Sequence, residues 1–450
     1  MTDHTFDFDL VVVGAGPAGL AAACVAAESG CRTAVLDETP WLGGQIWRGQ
    51  EAHPSSPEAQ RCLARFRSSG ASLLSGASVV AAPLPGLLLA EHNQQPCQVR
   101  YHRLVLATGA RELFLPFPGW TLPGVVGPGG LLALAKHGWP VSGRRIVVGG
   151  SGPLLLAVAE GLRPQGARVL SISEQASWHR IMGFGLTLAS FPAKLCQAAQ
   201  MRLRLLGVPY RCGVWPLRAD GEEQLRQVTL TDGRRAWSEE CDLFACGFGL
   251  VPNVELPLAL GCELQSGFVR VDSSQATSVP NVYCAGEPTG IGGADCAQVE
   301  GRIAGYAAAG QTSKAEALFA QRAAWHRFRA ALATAFALRP ELKTLAADDT
   351  VLCRCEDVSL GQIRRFANWR DAKLQSRCGM GTCQGRVCGA AARAILGWDM
   401  ESVRPPVLPA LVRSLISQSQ SEPPPAAAAE PSPETQPVEN GLCAASSTNH

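Results

Sequence analysis

The stretch FDLVVVGAGPAGLAAACVAAESGCRTAVLDE, residues 8–38, decides the fold of this 450-residue chain. Phe8 to Val13 is a short apolar run ending at a glycine turn, which suits a buried parallel strand. Gly14-Ala15-Gly16-Pro17-Ala18-Gly19 follows, then an alanine-rich helical segment and a second strand from Thr33 to Leu36. That strand ends at Asp37, 23 residues after Gly14. Gly14 permits the tight turn, Gly16 lets backbone approach a pyrophosphate, and Gly19 lets the helix lie close to the strand. The helix N-terminus offers N–H groups and the positive end of its dipole to phosphates, and Asp37 is placed to accept from ribose hydroxyls. A glycine triplet alone is weak evidence, because Gly-rich turns often bind nothing. Here strand, turn, helix and acid fall within one unit, so a dinucleotide site is expected.

Three later pieces indicate which dinucleotide. They are PWLGGQIWR (40–48), RLVLATGARE (103–112) and SVPNVYCAGEPTGIGGADCAQVEGRIAGYAAA (278–309). In this order they resemble the FAD-binding parts of two-dinucleotide-binding flavoprotein oxidoreductases. The resemblance implies FAD held by Gly14, Gly16, Gly19, Asp37, Gly44, Gln45, Thr108, Gly109, Gly286 and Glu287. It gives Glu287 the flavin's ribityl chain, and puts Gln45 and the helix start near Gly293 beside the isoalloxazine. Many relatives carry Asp where this chain has Glu287.

RRIVVGGSGPLLLAVAEGLRPQGARVLSISE (144–174) repeats the opening pattern inside the first. Gly150 and Gly152 form the turn, Leu155 stands at the third glycine position, and Glu174 ends the next strand. One reading is NAD(H) docked over the flavin. The others are a fold that packs without a hydride donor, or one that holds another adenine nucleotide. Glu174 disfavours a 2′-phosphate and no arginine follows it, so NAD is favoured over NADP. The chain has no C-x-x-C, which a disulfide reductase needs facing its flavin. Cys241 and Cys246 read as buried core positions.

Beyond residue 310 the pattern changes. SKAEALFAQRAAWHRFRAALATAFALRPEL (313–342) has apolar residues at helical spacing, so it reads as one or two connecting helices. CRC (353–355) and CGMGTCQGRVC (378–388) then place five cysteines in 36 residues, where an average of 17 in 450 gives about one. Cys353, Cys355, Cys378 and Cys383 supply two close pairs of thiolates. SLGQIRRFANW between them reads as an amphipathic helix with Leu360, Ile363 and Phe366 on one side. Structural zinc takes wider C-x2–4-C knuckles, whereas a [2Fe–2S] cluster is held by four cysteines. The cluster is favoured over zinc and over five unrelated buried thiols. Gly379, Gly381 and Gly385 leave backbone N–H groups near the sulfides, and Arg354, Arg377 and Arg386 can offset negative charge. Cys388 is read as packing or an alternate ligand.

FAD motifs followed by DDTVLCRCEDV and QSRCGMGTCQGRVCG resemble one family, over residues 8 to about 400. It comprises the flavin- and iron–sulfur-containing α subunits of multi-subunit amine and amino-acid dehydrogenases, of the hydrogen cyanide synthase, opine oxidase and dye-linked proline or hydroxyproline dehydrogenase type. The cysteine segment is similar to bacterioferritin-associated ferredoxin, although the final pair there is more closely spaced. The implied fold is α/β: a two-dinucleotide-binding-domain flavoprotein followed by a small [2Fe–2S] domain. We expect an FAD-binding domain of residues 1–115 and 245–312 and a second nucleotide-binding domain of 116–244. Connecting helices (313–345), a [2Fe–2S] domain (346–415) and a disordered, Pro- and Ala-rich tail (416–450) follow. The resemblance further implies a smaller flavoprotein oxidase or dehydrogenase subunit as partner, with a quinone or another carrier as electron acceptor. A self-sufficient NADH-dependent reductase and a non-catalytic redox sensor are the competing readings.

Bulk properties fit an internal enzyme. A formal net charge of +2 gives no basis for a nucleic-acid or acidic-membrane partner. The uncharged runs Ser68–Ala90 and Leu113–Ala135 are too rich in Gly and Pro (and, in the first, Ser) for a transmembrane segment. The start lacks a basic region before an apolar core, and most cysteines lie singly in apolar contexts. A cytoplasmic location with reduced thiols is therefore expected.

Overall fold

The computed structural model describes residues 4–50, 54, 56–399 and 403–416. Its first sheet is built on parallel pairing of His4–Val13 with Thr33–Asp37 on one side and Gln95–Leu106 on the other. Ser72–Ser75 extends it beyond Thr33–Asp37, and Val282–Cys284 pairs parallel with the end of Gln95–Leu106. The hairpin Ala77–Leu84 and Leu87–His92 closes the far edge in antiparallel fashion. The first strand starts earlier than its apolar run, at His4, because Thr5 to Phe8 still find partners at Gln98 to Tyr101.

Two helices cover one face of this sheet, Pro17–Glu28 and Gly293–Ala308. They touch through residues almost without side chains. A Cβ on Gly301 would lie 2.1 Å from the Ala18 carbonyl oxygen, and one on Gly305 would lie 2.4 Å from that of Ala22. This contact brings both helix N-termini to one end of the sheet, where the glycine loop lies. The Ala-rich composition of the first helix is thus a packing requirement, since any larger residue would push the second helix away.

A second parallel sheet has the order Tyr210–Cys212, Arg168–Glu174, Arg145–Gly150, Leu243–Gly247, Val125–Val126. The three-stranded antiparallel layer Trp215–Gly221, Leu225–Thr231, Ala236–Glu240 accompanies it. Chain passes between the two folds at Ala110–Glu112 and Leu250–Pro252, which pair with each other. The connecting region forms helices Thr312–Glu316 and Phe319–Ala335 and a short turn of helix at Pro340–Thr344.

The amphipathic segment after the first cysteines divides into two helices, Leu360–Arg364 and Trp369–Ser376. Ser359 and Gln362 form a capping box on the first, and the Asn368 side chain accepts from Asp371 N–H to start the second. Leu360 and Ile363 are buried as their spacing implied. No described helix is long and apolar enough to cross a membrane. Apart from Ile416, the tail expected to be disordered lies outside the described residues, and Cys443 with it.

Candidate functional site

The first glycine loop is dictated by contact. Gly14 has φ +106°, and a Cβ there would sit 2.2 Å from the Ala107 carbonyl oxygen. Gly19 has no freedom either, since its Cβ would lie 1.8 Å from the Gly14 oxygen. Gly16 is open apart from Gly44, which itself has φ +58° and lies over Gly16. Asp37 accepts from Ala15 N–H at 2.6 Å with one oxygen and from Thr39 N–H at 2.8 Å with the other. It is half-buried, the adjacent Glu38 is exposed, and Gln45 is exposed on the following turn. Thr108 and Asn253 bind reciprocally: the Thr108 hydroxyl donates to Asn253 C=O at 2.6 Å, and the Asn253 amide donates to Thr108 C=O at 2.8 Å. Asn253 N–H also donates to Gly109 C=O at 3.0 Å.

Gly286 and Glu287 lie where the late helix approaches this loop. One Glu287 oxygen accepts from Gly293 N–H at 2.9 Å. The other, Oε2, is buried with no partner among the described residues. Burial pushes this carboxyl up to about 7, against the pull of the Gly293 N–H. An orphaned buried carboxylate oxygen at a nucleotide loop calls for a hydroxyl donor, so the residues fit a flavin's ribityl chain. Glu300, which lies inside the late motif but is not among the site residues assigned from it, organises the same loop. It is 1% exposed and accepts from Gly286 N–H and the Thr289 hydroxyl, each at 2.9 Å. Its other oxygen meets His326 at 2.8 Å and Arg329 at 3.4 Å on the connecting helix. An acid on an otherwise apolar helix face is the signal that could have found it.

The second loop has the same plan with a different outcome. Gly150 is required, since its Cβ would fall 1.7 Å from the Gly247 oxygen. Gly152 N–H and Ala176 N–H donate to Glu174 at 2.7 and 2.8 Å. Glu174 is 0% and Gln175 1% exposed, and burial pushes the Glu174 carboxyl up to about 7. Gln175 Nε2 donates to Ser151 Oγ at 2.9 Å and contacts the carbonyls of Phe336 and Ala337. Ser151 donates to Phe336 C=O at 3.1 Å, and Arg339 N–H donates to the Gln175 oxygen at 3.1 Å. Leu155 lies in the apolar core of this fold. Cys241 and Cys246 are buried and burial raises both thiols, Cys241 to about 12.

All five clustered cysteines converge. Sulfurs of Cys353, Cys378 and Cys388 lie within 4.8 Å of one another, and those of Cys355 and Cys383 are 3.9 Å apart. A cavity of about 230 Å³ is lined by Cys353, Cys355, Cys383 and Cys388, with Arg354 and apolar side chains. Cys378 is fully buried and does not line it. The Cys355 thiol is held below its usual range, first by Cys383 N–H and then by the Thr382 hydroxyl. Burial raises Cys353, against a Gly379 N–H that favours its thiolate. Contact with Cys378, then burial, raises Cys388. The glycines between are sterically fixed: a Cβ on Gly381 would meet Cys355 Cβ at 2.2 Å, and one on Gly379 would meet the Trp369 ring at 2.6 Å. Of the three arginines, Arg377 is neutralised by Glu356 at 2.8 Å, and Arg386 donates to the Cys383 carbonyl at 3.3 Å. Four thiol side chains around one cavity, with backbone N–H groups aimed at two of them, fit a sulfur-ligated metal cluster.

The family described as pyridine nucleotide-disulphide oxidoreductase matches residues 8–311. The chain belongs to it. It is an FAD-dependent oxidoreductase of the mixed α/β fold typical of that family. Within the family it belongs with the hydrogen cyanide synthase protein HcnB of Pseudomonas protegens, to which it is 31% identical over 86% of this chain and 93% of the relative. It is 33% identical to an opine oxidase subunit of Rhizobium meliloti, over 89% of this chain and 97% of that one. Among solved structures, L-proline dehydrogenase of P. horikoshii superposes with a TM-score of 0.67 at 19% identity, covering 92% of this chain and 80% of that one. T. acidophilum thioredoxin reductase superposes with a TM-score of 0.52 at 22% identity, covering 68% of this chain and 99% of that one. Both likenesses show the shared fold.

Proposed function

We propose that the chain is the electron-transferring flavoprotein and iron–sulfur subunit of a heteromeric amine or amino-acid dehydrogenase. It would pass electrons between a smaller, substrate-oxidising flavoprotein subunit and an external acceptor such as a quinone. The observation that carries this is the cysteine-lined cavity in a chain whose first nucleotide fold combines a sterically fixed glycine loop, Asp37 and an unpartnered buried Glu287 oxygen. Relatives named as subunits of hydrogen cyanide synthase and opine oxidase support the heteromer.

The residues divide the work. Gly14, Gly16, Gly19 and the first helix N-terminus would take the pyrophosphate, Asp37 the ribose, and Glu287 Oε2 the ribityl chain. Gly44, Gln45, Thr108, Gly109 and Gly286 would shape the walls. For the cluster we assign Cys353, Cys355, Cys383 and Cys388. Sequence spacing puts Cys378 in this set and reads Cys388 as packing or an alternate ligand, and the cavity favours the exchange because Cys388 faces it. Bound together, flavin and cluster supply conversion between two-electron and one-electron transfer.

Support against NADH as direct donor comes from the second fold. Glu174 and Gln175, the residues that would meet an adenosine ribose, are both buried, and Gln175 is bound to the connecting chain at Phe336, Ala337 and Arg339. The test is anaerobic titration of the purified chain with NADH and then dithionite, read by visible absorbance and EPR, with iron, sulfide and zinc analysis. Two irons and two sulfides per chain, with both centres reduced only by dithionite, are expected. Stoichiometric flavin bleaching by NADH would make the chain its own reductase, and zinc without sulfide would remove the electron-transfer role of the cysteines.

A further inference from the structure

We propose that the second nucleotide fold serves as the seat of the cysteine segment, and that Trp120 on it positions and shields the cluster. This rests on the iron–sulfur reading above. The cavity among the cysteines is not enclosed by its own segment: Phe114 and Trp120 in its lining come from the chain that leads out of the first nucleotide fold into the second. Trp120 is 4% exposed, and its indole N–H donates to the Val351 carbonyl at 2.6 Å, two residues before Cys353. The Arg354 guanidinium lies over the same indole, 5.6 Å from the ring centroid. Trp120 therefore grips the Cys353–Cys355 turn from before it and from within it. Phe114 stands beside Trp120 with ring centroids 6.3 Å apart.

The turn that carries Trp120 cannot move freely. Gly119 has φ +81°, and a Cβ there would lie 1.9 Å from the Ala219 carbonyl oxygen. Ala219 N–H in turn donates to the Pro118 carbonyl at 2.9 Å, pressing the turn onto the strand Trp215–Gly221. Trp120 shares one apolar core with Phe117, Trp215 and Phe244 of the second fold, and Val387 of the cysteine segment packs against that core. The connecting chain fastens the same fold elsewhere: Arg339 stacks on Trp215 at 3.6 Å, and Phe336 packs edge-on against Phe184 at 5.6 Å. A fold of nucleotide-binding type thus receives connecting chain at its ribose edge and the cysteine segment on its flank.

An apolar wall limits water at the sulfides, and the shell around a metal centre governs its solvent access and lability. Trp120→Ala removes the wall, the bond to Val351 and the partner of Arg354, while the first nucleotide fold is untouched. The experiment compares full-length wild type with Trp120→Ala, Trp120→Phe and Phe114→Ala. It reads iron and flavin per chain, the visible circular dichroism of the cluster, and the rate at which cluster absorbance is lost in air. Trp120→Ala should keep its flavin, change the dichroism, and lose the cluster about ten-fold faster. Trp120→Phe, which keeps a ring there, should stay within about two-fold of wild type. Unchanged dichroism and rate in Trp120→Ala would overturn the proposal. If that variant loses its flavin, Phe114→Ala carries the same expectation, and an unchanged rate there overturns it. Wild type without iron, or with iron indifferent to Cys355→Ser, removes the cluster reading itself and is distinct from either result.

Discussion

The two nucleotide folds differ most at the residue that ends their second strand. In the first, Asp37 braces its glycine loop through Ala15 N–H and stays half-buried, with Glu38 exposed beside it. In the second, Glu174 braces its loop in the same way through Gly152 N–H, but it is fully buried, and Gln175 beside it is bound to the chain's own connector. The third glycine marks the same divergence. Gly19 admits no Cβ, whereas Leu155 at the corresponding place fills a core. One supersecondary plan thus leaves its acid half-open in one half and buries it in the other. A glycine pattern describes backbone geometry, and what occupies the edge is decided by what the rest of the chain puts there.

The largest effects should come from breaking the first fold. Gly19→Ala forces a Cβ into the Gly14 carbonyl oxygen, and flavin content, read from the visible absorbance of purified protein, should fall about ten-fold or more. Its counterpart in the second fold is Leu155→Gly, a core truncation expected to cost roughly 3 kcal/mol in denaturant unfolding while flavin is retained. NADH binding appearing in that variant would show that Leu155, and not the covered edge, closes the site.

Cys355→Ser should abolish the iron signal and leave the flavin spectrum intact, because the two sites share no ligand. Comparing Cys378→Ser with Cys388→Ser sharpens the assignment: the latter should lose iron, and the former should retain it. The reverse pattern would restore Cys378 to the set.

A smaller effect is expected from pH. Burial holds the Glu174 carboxyl at about 7, above its ordinary 4.5. A raised acid favours the folded state fully below the unfolded value, and that contribution is lost as pH rises towards the folded one. The melting temperature of wild type should therefore decline between about pH 4.5 and 7 more steeply than that of Glu174→Gln. Equal slopes would mean that the two backbone N–H donors keep Glu174 ionised throughout. Smallest of all, Gly152→Ala strains a backbone at φ +103° with nothing within 4 Å to clash, so about 1 kcal/mol is expected, with flavin unchanged.

Much of the first site was legible because its constraints are local. Gly14 to Asp37 lies within one strand–helix–strand unit, and the pieces around Gly44, Thr108 and Glu287 carry their own turn glycines. The split of the helix after Ser359 was also open to reading, since Asn368 is a strong cap. Glu300 stood out only as an acid on an otherwise apolar helix face, and its role was not legible, because its partners Gly286, Thr289 and His326 are brought to it only by helix packing. Trp120 was invisible for the same reason: 231 residues separate it from the carbonyl that its indole binds.

By itself the sequence determined that two nucleotide-type units exist, that the first carries the full glycine and acid pattern, and that five thiols cluster late in the chain. These follow from backbone sterics and spacing, which need no knowledge of distant contacts. Only the tertiary structure decided that Gln175 of the second unit is bound to the connecting chain, which cysteines face a common cavity, and that Trp120 lines it. Those outcomes depend on which surfaces are buried against each other. Burial is a property of pairs of distant segments, and no local pattern records it.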